Sequence, residues 1–260
     1  MPERSEEAPR AWRLAASVAL AVVLLAAAAG VIVARRGADR GGGLVEAPTA
    51  GTASASAGEA AVGSLGPPSP ERVFAELGGR RSLPVVLETD HGPIDCVLEG
   101  DRAPRGVSLF VALATGRARW LEAETGALRE DPLYRDLTFH RAIPGVLVQS
   151  GCPVGDGSGH PGYRIEVEAG PDDAERLRQP GALGLARYTP PPHRVDPHPP
   201  PPGHVLGSQF FIGLVDMSHL AGQVTVLGRC GNLDRVASIA RAVRRGEPRP
   251  RLERVTVAVR

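Results

Sequence analysis

The chain has 260 residues, of which 42% are hydrophobic and 23% charged, and its formal net charge is +1. This composition is ordinary for a globular protein, and the near-neutral balance gives no indication of a nucleic-acid partner. All of the positive charge is carried by arginine, because the sequence contains no lysine. Any chemistry that needs a lysine amine is therefore excluded.

An apolar run from Leu14 to Ala34 follows a short tail, residues 1–13, and contains no charged side chain. Its 21 residues suffice to cross a hydrocarbon core of about 30 Å as a helix. A cleaved signal sequence is the alternative, because Ala27 to Gly30 offers small residues at which a protease cuts. The apolar run continues beyond them through Val33, which favours an uncleaved membrane anchor.

The orientation of this span is not decided by the positive-inside rule, because arginines flank both of its ends. A short tail before a first span commonly stays in the cytoplasm, so we expect the rest of the chain on the extracytoplasmic side. Residues 35–69 consist mainly of Gly, Ala, Ser, Thr and Pro. They contain too little apolar surface to offset the entropy of ordering, and we interpret them as a flexible linker.

Residues 70–260 carry the patterns of a folded domain. A short helix is predicted to begin at Pro70 after Ser69 as N-cap and to stop at Gly78-Gly79. Apolar residues at helical spacing predict two further helices, at 104–116 and 233–244. Alternating or apolar runs predict strands at Pro84–Thr89, Gly92–Leu98, Leu137–Arg141, Gly145–Gln149, Tyr163–Val167, Ala182–Ala186, Gln209–Leu214, Val224–Gly228 and Glu253–Val259. Many short strands with few helices indicate an all-β barrel or sandwich with helical caps.

The three cysteines, Cys96, Cys152 and Cys230, lie far apart and form no CxxC pair. Their odd number and wide spacing argue against a disulfide framework and against a zinc site. We interpret them as small buried hydrophobic residues. A single bridge between two of them is the alternative if the domain lies outside the cytoplasm.

Three segments carry the chemical information. Residues 139–149 read FHRAIPGVLVQ, and alternation along strand pieces broken at Pro144 brings Arg141 and Gln149 to one side. Residues 155–163 form a glycine-rich run with the spacing GxGxG. Since Pro161 follows in place of a helix, a nucleotide-binding turn is not indicated, and the glycines predict a tight loop. The third segment, residues 207–212, reads GSQFFI.

Together these segments resemble the cyclophilin family. FHRAIPGVLVQSGCP, GDGSGHPGY, PGALGLA, GSQFFI and HLAGQVTVLGR occur in the family's order, and the resemblance covers residues 84–259. It implies a closed eight-stranded antiparallel β-barrel capped by two α-helices. It also implies peptidyl-prolyl cis-trans isomerase activity on proline-containing polypeptides, without metal or other cofactor. A monomer is the default expectation for the oligomeric state.

The resemblance also implies roles for individual residues. Arg141 stands at the position of the catalytic arginine, which would donate a hydrogen bond to the prolyl nitrogen of a twisted amide. The substrate-binding positions are Val146, Leu147, Gln149, Ala186, Phe211, His219 and Leu220. Ser208 and Gln209 are interpreted as scaffold and groove residues, and His140 as a structural residue on the opposite strand face.

Four positions depart from the family pattern. Val146 replaces a large aromatic residue, His219 a common tryptophan, Val224 a histidine or tyrosine, and Arg187 an asparagine whose backbone pairs with substrate. A thinner pocket wall would cost activity or change the preference for flanking residues. The alternative function is therefore a catalytically weak or silent proline-peptide binding module.

Two insertions mark the domain, at residues 117–130 and 188–206. The second is rich in proline and favours extended polyproline geometry beside the expected groove. We interpret it as an exposed loop, with a pseudo-substrate as the alternative. A metal cluster of His193, Asp196, His198 and His204 is disfavoured, because proline-rich spacing provides no fixed ligand geometry.

Overall fold

The computed structural model describes residues 65–187 and 203–258. All of them lie in the second of two units of the chain, which begins at Gly58. The predicted span Leu14–Ala34 and most of the predicted linker lie outside the described residues, as does the insertion at 188–206 except for its last four residues. Within the described ranges, no helix has both the length and the apolar character needed to cross a membrane.

The helices predicted from the sequence are confirmed. The Ser69 hydroxyl accepts a hydrogen bond from the Arg72 amide and caps the first helix, and Gly116 ends the second in the left-handed conformation. A fourth, short helix at Asp173–Arg178 and a 3₁₀ turn at Ser218–Leu220 were not predicted. The α-helices are α1 (Pro70–Glu76), α2 (Pro104–Thr115), α3 (Asp173–Arg178) and α4 (Leu233–Arg244).

The strands largely follow the predicted runs, and their ends differ by a few residues. The prediction joined Leu137 to Arg141 in one strand, whereas two strands flank Phe139 and His140. The strands are β1 (Ser82–Thr89), β2 (Ile94–Glu99), β3 (Trp120–Leu121), β4 (Leu128–Arg129), β5 (Arg135–Thr138), β6 (Arg141–Ile143), β7 (Leu147–Ser150), β8 (Ile165–Glu166), β9 (Ala182–Arg187), β10 (His204–Gly213), β11 (Thr225–Cys230) and β12 (Arg251–Val257).

One antiparallel sheet dominates the fold. Its strand order is β5-β12-β1-β2-β11-β9-β10-β7-β6, and β8 pairs with β10 outside this path. The expectation of a closed eight-stranded barrel is wrong, because the two end strands, β5 and β6, do not pair. They follow one another along the chain with only Phe139 and His140 between them. Two consecutive segments without a reversing turn cannot lie side by side in an antiparallel ladder, so the curled sheet stays open there.

The main core lies between this sheet and α2. Phe110 of α2 packs against Tyr134 and Phe210, with ring centroids 4.8 and 5.6 Å apart. The Tyr134 hydroxyl donates a 2.8 Å hydrogen bond to the Ser208 carbonyl oxygen, so its burial leaves no polar atom unsatisfied. This packing supports the segment of β10 that carries the predicted site.

A disulfide joins Cys96 of β2 to Cys230 of β11, which are direct partners in the antiparallel ladder. The interpretation of all three cysteines as buried thiols is therefore wrong for these two. It holds for Cys152, which is free and buried and accepts hydrogen bonds from the Gly157 and Gly159 amides. The pairing could not be predicted from the cysteine spacing, because the bridged cysteines are 134 positions apart in the sequence.

The insertion at 117–130 is a small hairpin formed by β3 and β4. Trp120 is buried and its indole N–H donates to the Asp131 carbonyl oxygen over 2.9 Å. The Leu121 amide donates to the Pro161 carbonyl oxygen, also over 2.9 Å. The hairpin is thereby fastened to the glycine-rich loop.

Candidate active site

Arg141 and Gln149 face one another across β6 and β7, as the sequence pattern predicts. They are direct ladder partners, and Arg141 Nη1 lies 3.4 Å from Gln149 Oε1. The Arg141 side chain is exposed, whereas Gln149 is buried. Among residues 65–187 and 203–258, no carboxylate forms an ion pair with Arg141. Most of its guanidinium N–H groups therefore stay available to an incoming acceptor.

Gln149 is itself held in place by Gln209, which is fully buried. Gln149 Nε2 donates to Gln209 Oε1 over 2.9 Å. Gln209 Nε2 then donates to the carbonyl oxygens of Gly157 and Gly159, at 2.8 and 2.7 Å. A continuous polar chain thus runs from the glycine-rich loop to Arg141, and Gln209 is its central link. Sequence reasoning treated Gln209 only as a scaffold and groove residue, since a buried glutamine cannot be distinguished in sequence from an exposed one.

A cavity of about 330 Å³ opens beside the arginine. It brings together all eight predicted site residues: Arg141, Val146, Leu147, Gln149, Ala186, Phe211, His219 and Leu220. Phe211 is the direct ladder partner of both Gln149 and Gly184, and its ring lies close to the Gly184 backbone. Further lining residues, for which the sequence held no signal beyond hydrophobicity or charge, are Ile143, Val215, Asp216 and Met217.

The inner wall of this cavity is apolar. A cluster of eight buried hydrophobic residues, among them Leu147, Ala186, Phe211 and Met217, lies beneath it. Val224, one of the departures from the family pattern, is buried in the same cluster, and Val146 is only partly buried against it. An apolar recess of this size accommodates a small ring and excludes water from it.

The outer rim of the cavity is polar. The Arg187 guanidinium donates to Gln223 Oε1, and Gln223 Nε2 donates to the His219 carbonyl oxygen over 2.8 Å. Asp216 accepts a 2.8 Å hydrogen bond from the Ser218 amide. Hydrogen bonds with Ser218 hold the pKa of Asp216 below its usual value, so this carboxyl is ionised at neutral pH.

His140 lies outside the residues that line the cavity and packs beneath the glycine-rich loop. Its ring is so close to Gly157 that a Cβ built on the glycine would lie 3.1 Å from the imidazole Cδ2. Burial, together with the nearby Arg249, lowers the pKa of His140 to about 4. The imidazole is therefore neutral at physiological pH. Within the described part of the chain, no group of three or more His, Cys, Asp or Glu residues could hold a metal ion.

Comparison with known proteins identifies the family. The family model described as cyclophilin-type peptidyl-prolyl cis-trans isomerase/CLD matches residues 84–258, which is more than half of the chain. The chain belongs to the cyclophilin family. A relative from Streptomyces anulatus, peptidyl-prolyl cis-trans isomerase B, is 36% identical over 146 residues, covering 56% of this chain and 75% of the relative.

A second relative and a solved structure are also similar. Peptidyl-prolyl cis-trans isomerase A of Mycobacterium tuberculosis (strain ATCC 25618 / H37Rv) is 30% identical over 168 residues, covering 64% of this chain and 84% of the relative. A crystal structure of a Cryptosporidium parvum cyclophilin-type isomerase superposes with a TM-score of 0.51 at 19% identity. That alignment covers 69% of this chain and 99% of the other, and it supports the cyclophilin fold.

Proposed function

We propose that this cyclophilin is a peptidyl-prolyl cis-trans isomerase that accelerates rotation about X-Pro bonds in protein substrates. The observation that carries the proposal is the exposed Arg141 guanidinium at the edge of an apolar cavity. Proline-containing polypeptides are the proposed partners. The reaction rotates one bond and transfers no group, so it requires neither a nucleophile nor an acid-base pair.

The catalytic problem is the partial double bond of the amide. Resonance keeps the X-Pro bond planar, and its uncatalysed isomerisation takes tens to hundreds of seconds. Rotation through the perpendicular geometry removes the resonance, and the prolyl nitrogen regains a lone pair that accepts a hydrogen bond. A donor aimed at this lone pair stabilises the twisted state and neither planar state, which is the requirement for catalysis.

Arg141 is the proposed donor. Gln149 holds the guanidinium from one side, and Gln209 holds Gln149, so little reorganisation is needed when the substrate twists. Phe211 and Leu147 form the proposed receptacle for the proline ring, with Val146, Ala186, His219 and Leu220 around it. The ring stays fixed while the preceding carbonyl group rotates, so binding energy is used for orientation.

The decisive experiment is isomerisation of a proline peptide by the full chain. We expect accelerated cis/trans exchange by NMR, and Arg141→Ala is expected to lower kcat/KM about a hundredfold or more, as for loss of one transition-state donor. Arg141→Lys is the matched variant, since it keeps the charge and loses the planar fork. Equal rates for the wild type and Arg141→Ala, both at the uncatalysed level, would overturn the proposal.

The same sample distinguishes the alternative function. The partly buried Val146 leaves one wall of the recess low. This thinner wall is the feature that favours a binding module without turnover. Such a module would still give chemical-shift changes on peptide addition, but it would give no enhanced cis/trans exchange. Enhanced exchange that depends on Arg141 would eliminate this alternative.

We also propose that residues 14–34 anchor the protein in a membrane, with the cyclophilin domain on the extracytoplasmic side and as a monomer. The support is the uncharged 21-residue run in the sequence together with the Cys96–Cys230 bridge. Structural disulfides persist in oxidising compartments and are rare in the cytosol. The bridge therefore favours the extracytoplasmic side for the domain, which is the orientation expected when the short N-terminal tail stays in the cytoplasm.

A further inference from the structure

The cavity is lined by two arginines, and only one of them is needed for rotation of the proline bond. Arg141 and Arg187 both line it, from β6 and β9 respectively. Both side chains are exposed, and neither forms an ion pair with a carboxylate in the ranges 65–187 and 203–258. Arg187 instead donates to the neutral side chain of Gln223. Its full positive charge therefore faces the groove uncompensated by those residues.

We infer that Arg187 makes this cyclophilin prefer substrates with an acidic side chain near the proline. The inference rests on the proposed isomerase function and names its substrate class. A carboxylate is the natural partner of a guanidinium, because the planar fork matches its two oxygens. The carboxylate that pairs with Arg187 would come from the substrate. Among the described residues of the rim, the Arg187 guanidinium donates only to the side-chain oxygen of Gln223.

The sheet register separates the tasks of the two arginines. Arg141, Gln149, Phe211 and Gly184 are successive ladder partners on four neighbouring strands. Three strand spacings, about 14 Å in all, therefore lie between Arg141 and Gly184. Arg187 lies three residues further along β9. Because the two arginines leave the sheet at such widely separated positions, we assign Arg141 to the proline and Arg187 to another residue of the peptide.

The distance from the proline to the acidic residue follows from the same geometry. Three residues of β9 span about 10 Å, and the Arg187 guanidinium donates to Gln223, the residue before the lining residue Val224. An extended peptide advances about 3.3 to 3.6 Å per residue. The acidic side chain is therefore placed within three residues of the proline.

The other charged groups at the rim do not cancel this preference. Asp216 lines the same cavity, but its carboxylate accepts hydrogen bonds from Ser218 and lies near Arg178 and His219. Its charge is compensated locally, whereas no carboxylate among residues 65–187 and 203–258 forms an ion pair with Arg187. Because Arg187 is exposed, its pairing with a substrate is partly screened by solvent, so we expect a preference of about two- to fivefold.

The test uses the full 260-residue chain in a mild detergent and peptides with a single proline in a neutral background. Glu or Gln is placed at each of the three positions before and the three positions after the proline. We expect the Glu peptide to have a two- to fivefold lower KM than its Gln counterpart at one position at least, with kcat unchanged, as for uniform binding. Added salt should reduce the difference.

Three variants assign the effect. Arg187→Gln should equalise the two peptides, and Arg187→Glu should favour an arginine peptide instead. Arg80→Gln removes one exposed arginine, which follows α1 and has no ion pair among the described residues, so it controls for overall charge. It should keep the wild-type preference. A Glu preference that persists in Arg187→Gln would overturn the inference, as would its absence at all six positions in the wild type.

Failure of the proposed function is distinguishable from failure of this inference. If no peptide is isomerised, the isomerase proposal fails, and the same Glu and Gln series is read as dissociation constants by NMR titration. Tighter binding of Glu peptides that is lost in Arg187→Gln would then still support the acidic preference. Equal affinities would contradict it.

Discussion

Gln209 has a larger role in the folded chain than its neighbours in sequence indicate. It is fully buried, and all of its polar groups are engaged between Gln149 and the glycine-rich loop. It touches neither the proposed proline recess nor the prolyl nitrogen. Its effect on the reaction is therefore expected to pass through Gln149, which makes it a positioning residue.

Replacing Gln209 with leucine should lower kcat/KM about tenfold, equivalent to about 1.4 kcal/mol, because a buried amide of Gln149 loses its acceptor. The measurement is cis/trans exchange of one proline peptide by wild type and variant, with circular dichroism as the check on folding. Gln149→Leu and the double variant complete the cycle. Fully additive losses in the double variant would show that the two glutamines act independently.

His140 makes the stability of the domain depend on pH. Its pKa is about 4 in the folded chain, against about 6.5 in an unfolded one. As the pH falls below 6.5, the unfolded state binds the proton first, so the contribution is fully present above pH 6.5 and is lost toward pH 4. The loss amounts to at most about 3 kcal/mol.

We expect His140→Gln to remove this part of the pH dependence. Urea unfolding at pH 7 and pH 4.5 should show a larger fall in the free energy of unfolding for the wild type than for the variant. His219→Gln, which removes an exposed histidine, is the control and should behave like the wild type. The idea fails if His140→Gln and the wild type lose equal stability.

At the scale of elements, the features that the sequence did not predict are mainly contacts between segments distant in the chain. Strands β2 and β11 carry the bridged cysteines, and the β3-β4 hairpin fastens an insertion to the glycine-rich loop. The helix α3 was missed because its six residues bury only Asp173 and Leu177. Short elements of this kind have little periodicity, and tertiary contacts decide whether they form.

Reduction of the Cys96–Cys230 bridge should lower the free energy of unfolding by about 2 to 4 kcal/mol, because it releases a long loop in the unfolded chain. Urea unfolding of the full chain with and without a thiol reductant measures this. The double variant Cys96→Ala/Cys230→Ala is the control and should not respond to reductant. An unchanged midpoint for the reduced wild type would contradict the expected effect.

At the scale of the whole molecule, the cyclophilin domain and the proposed anchor are separate questions. The described domain is a curled antiparallel sheet with one main core and a second, smaller apolar cluster beneath the cavity. The run from Leu14 to Ala34 lies outside the described residues, so its role stays a prediction from composition and length. Its function would be to keep the isomerase near the membrane surface.

The full chain is expected to remain in the membrane fraction after a wash at alkaline pH. Placing arginine at Val18 and Leu24 should release it, since each charge at the centre of a span costs about 2.5 to 3.5 kcal/mol. Arginine at Ala53 and Ala57, within the predicted linker, is the matched control and should leave the fractionation unchanged. Release of the wild-type chain by the wash would contradict the anchor.

The amino-acid sequence by itself determined the family and the segments that carry the site. Helix caps, hydrophobic alternation and glycines at turns are signals carried by residues close together in the sequence. The helices α1, α2 and α4 and most strands were therefore predictable. Arg141, Gln149 and Phe211 were also predictable, because motifs in a fixed order carry them. Tertiary structure alone decided that the sheet stays open between β5 and β6, that Cys96 pairs with Cys230 and that Gln209 is buried. The disulfide and the burial of Gln209 depend on contacts between strands distant in sequence, and the opening depends on the course of the whole sheet. Local patterns encode neither.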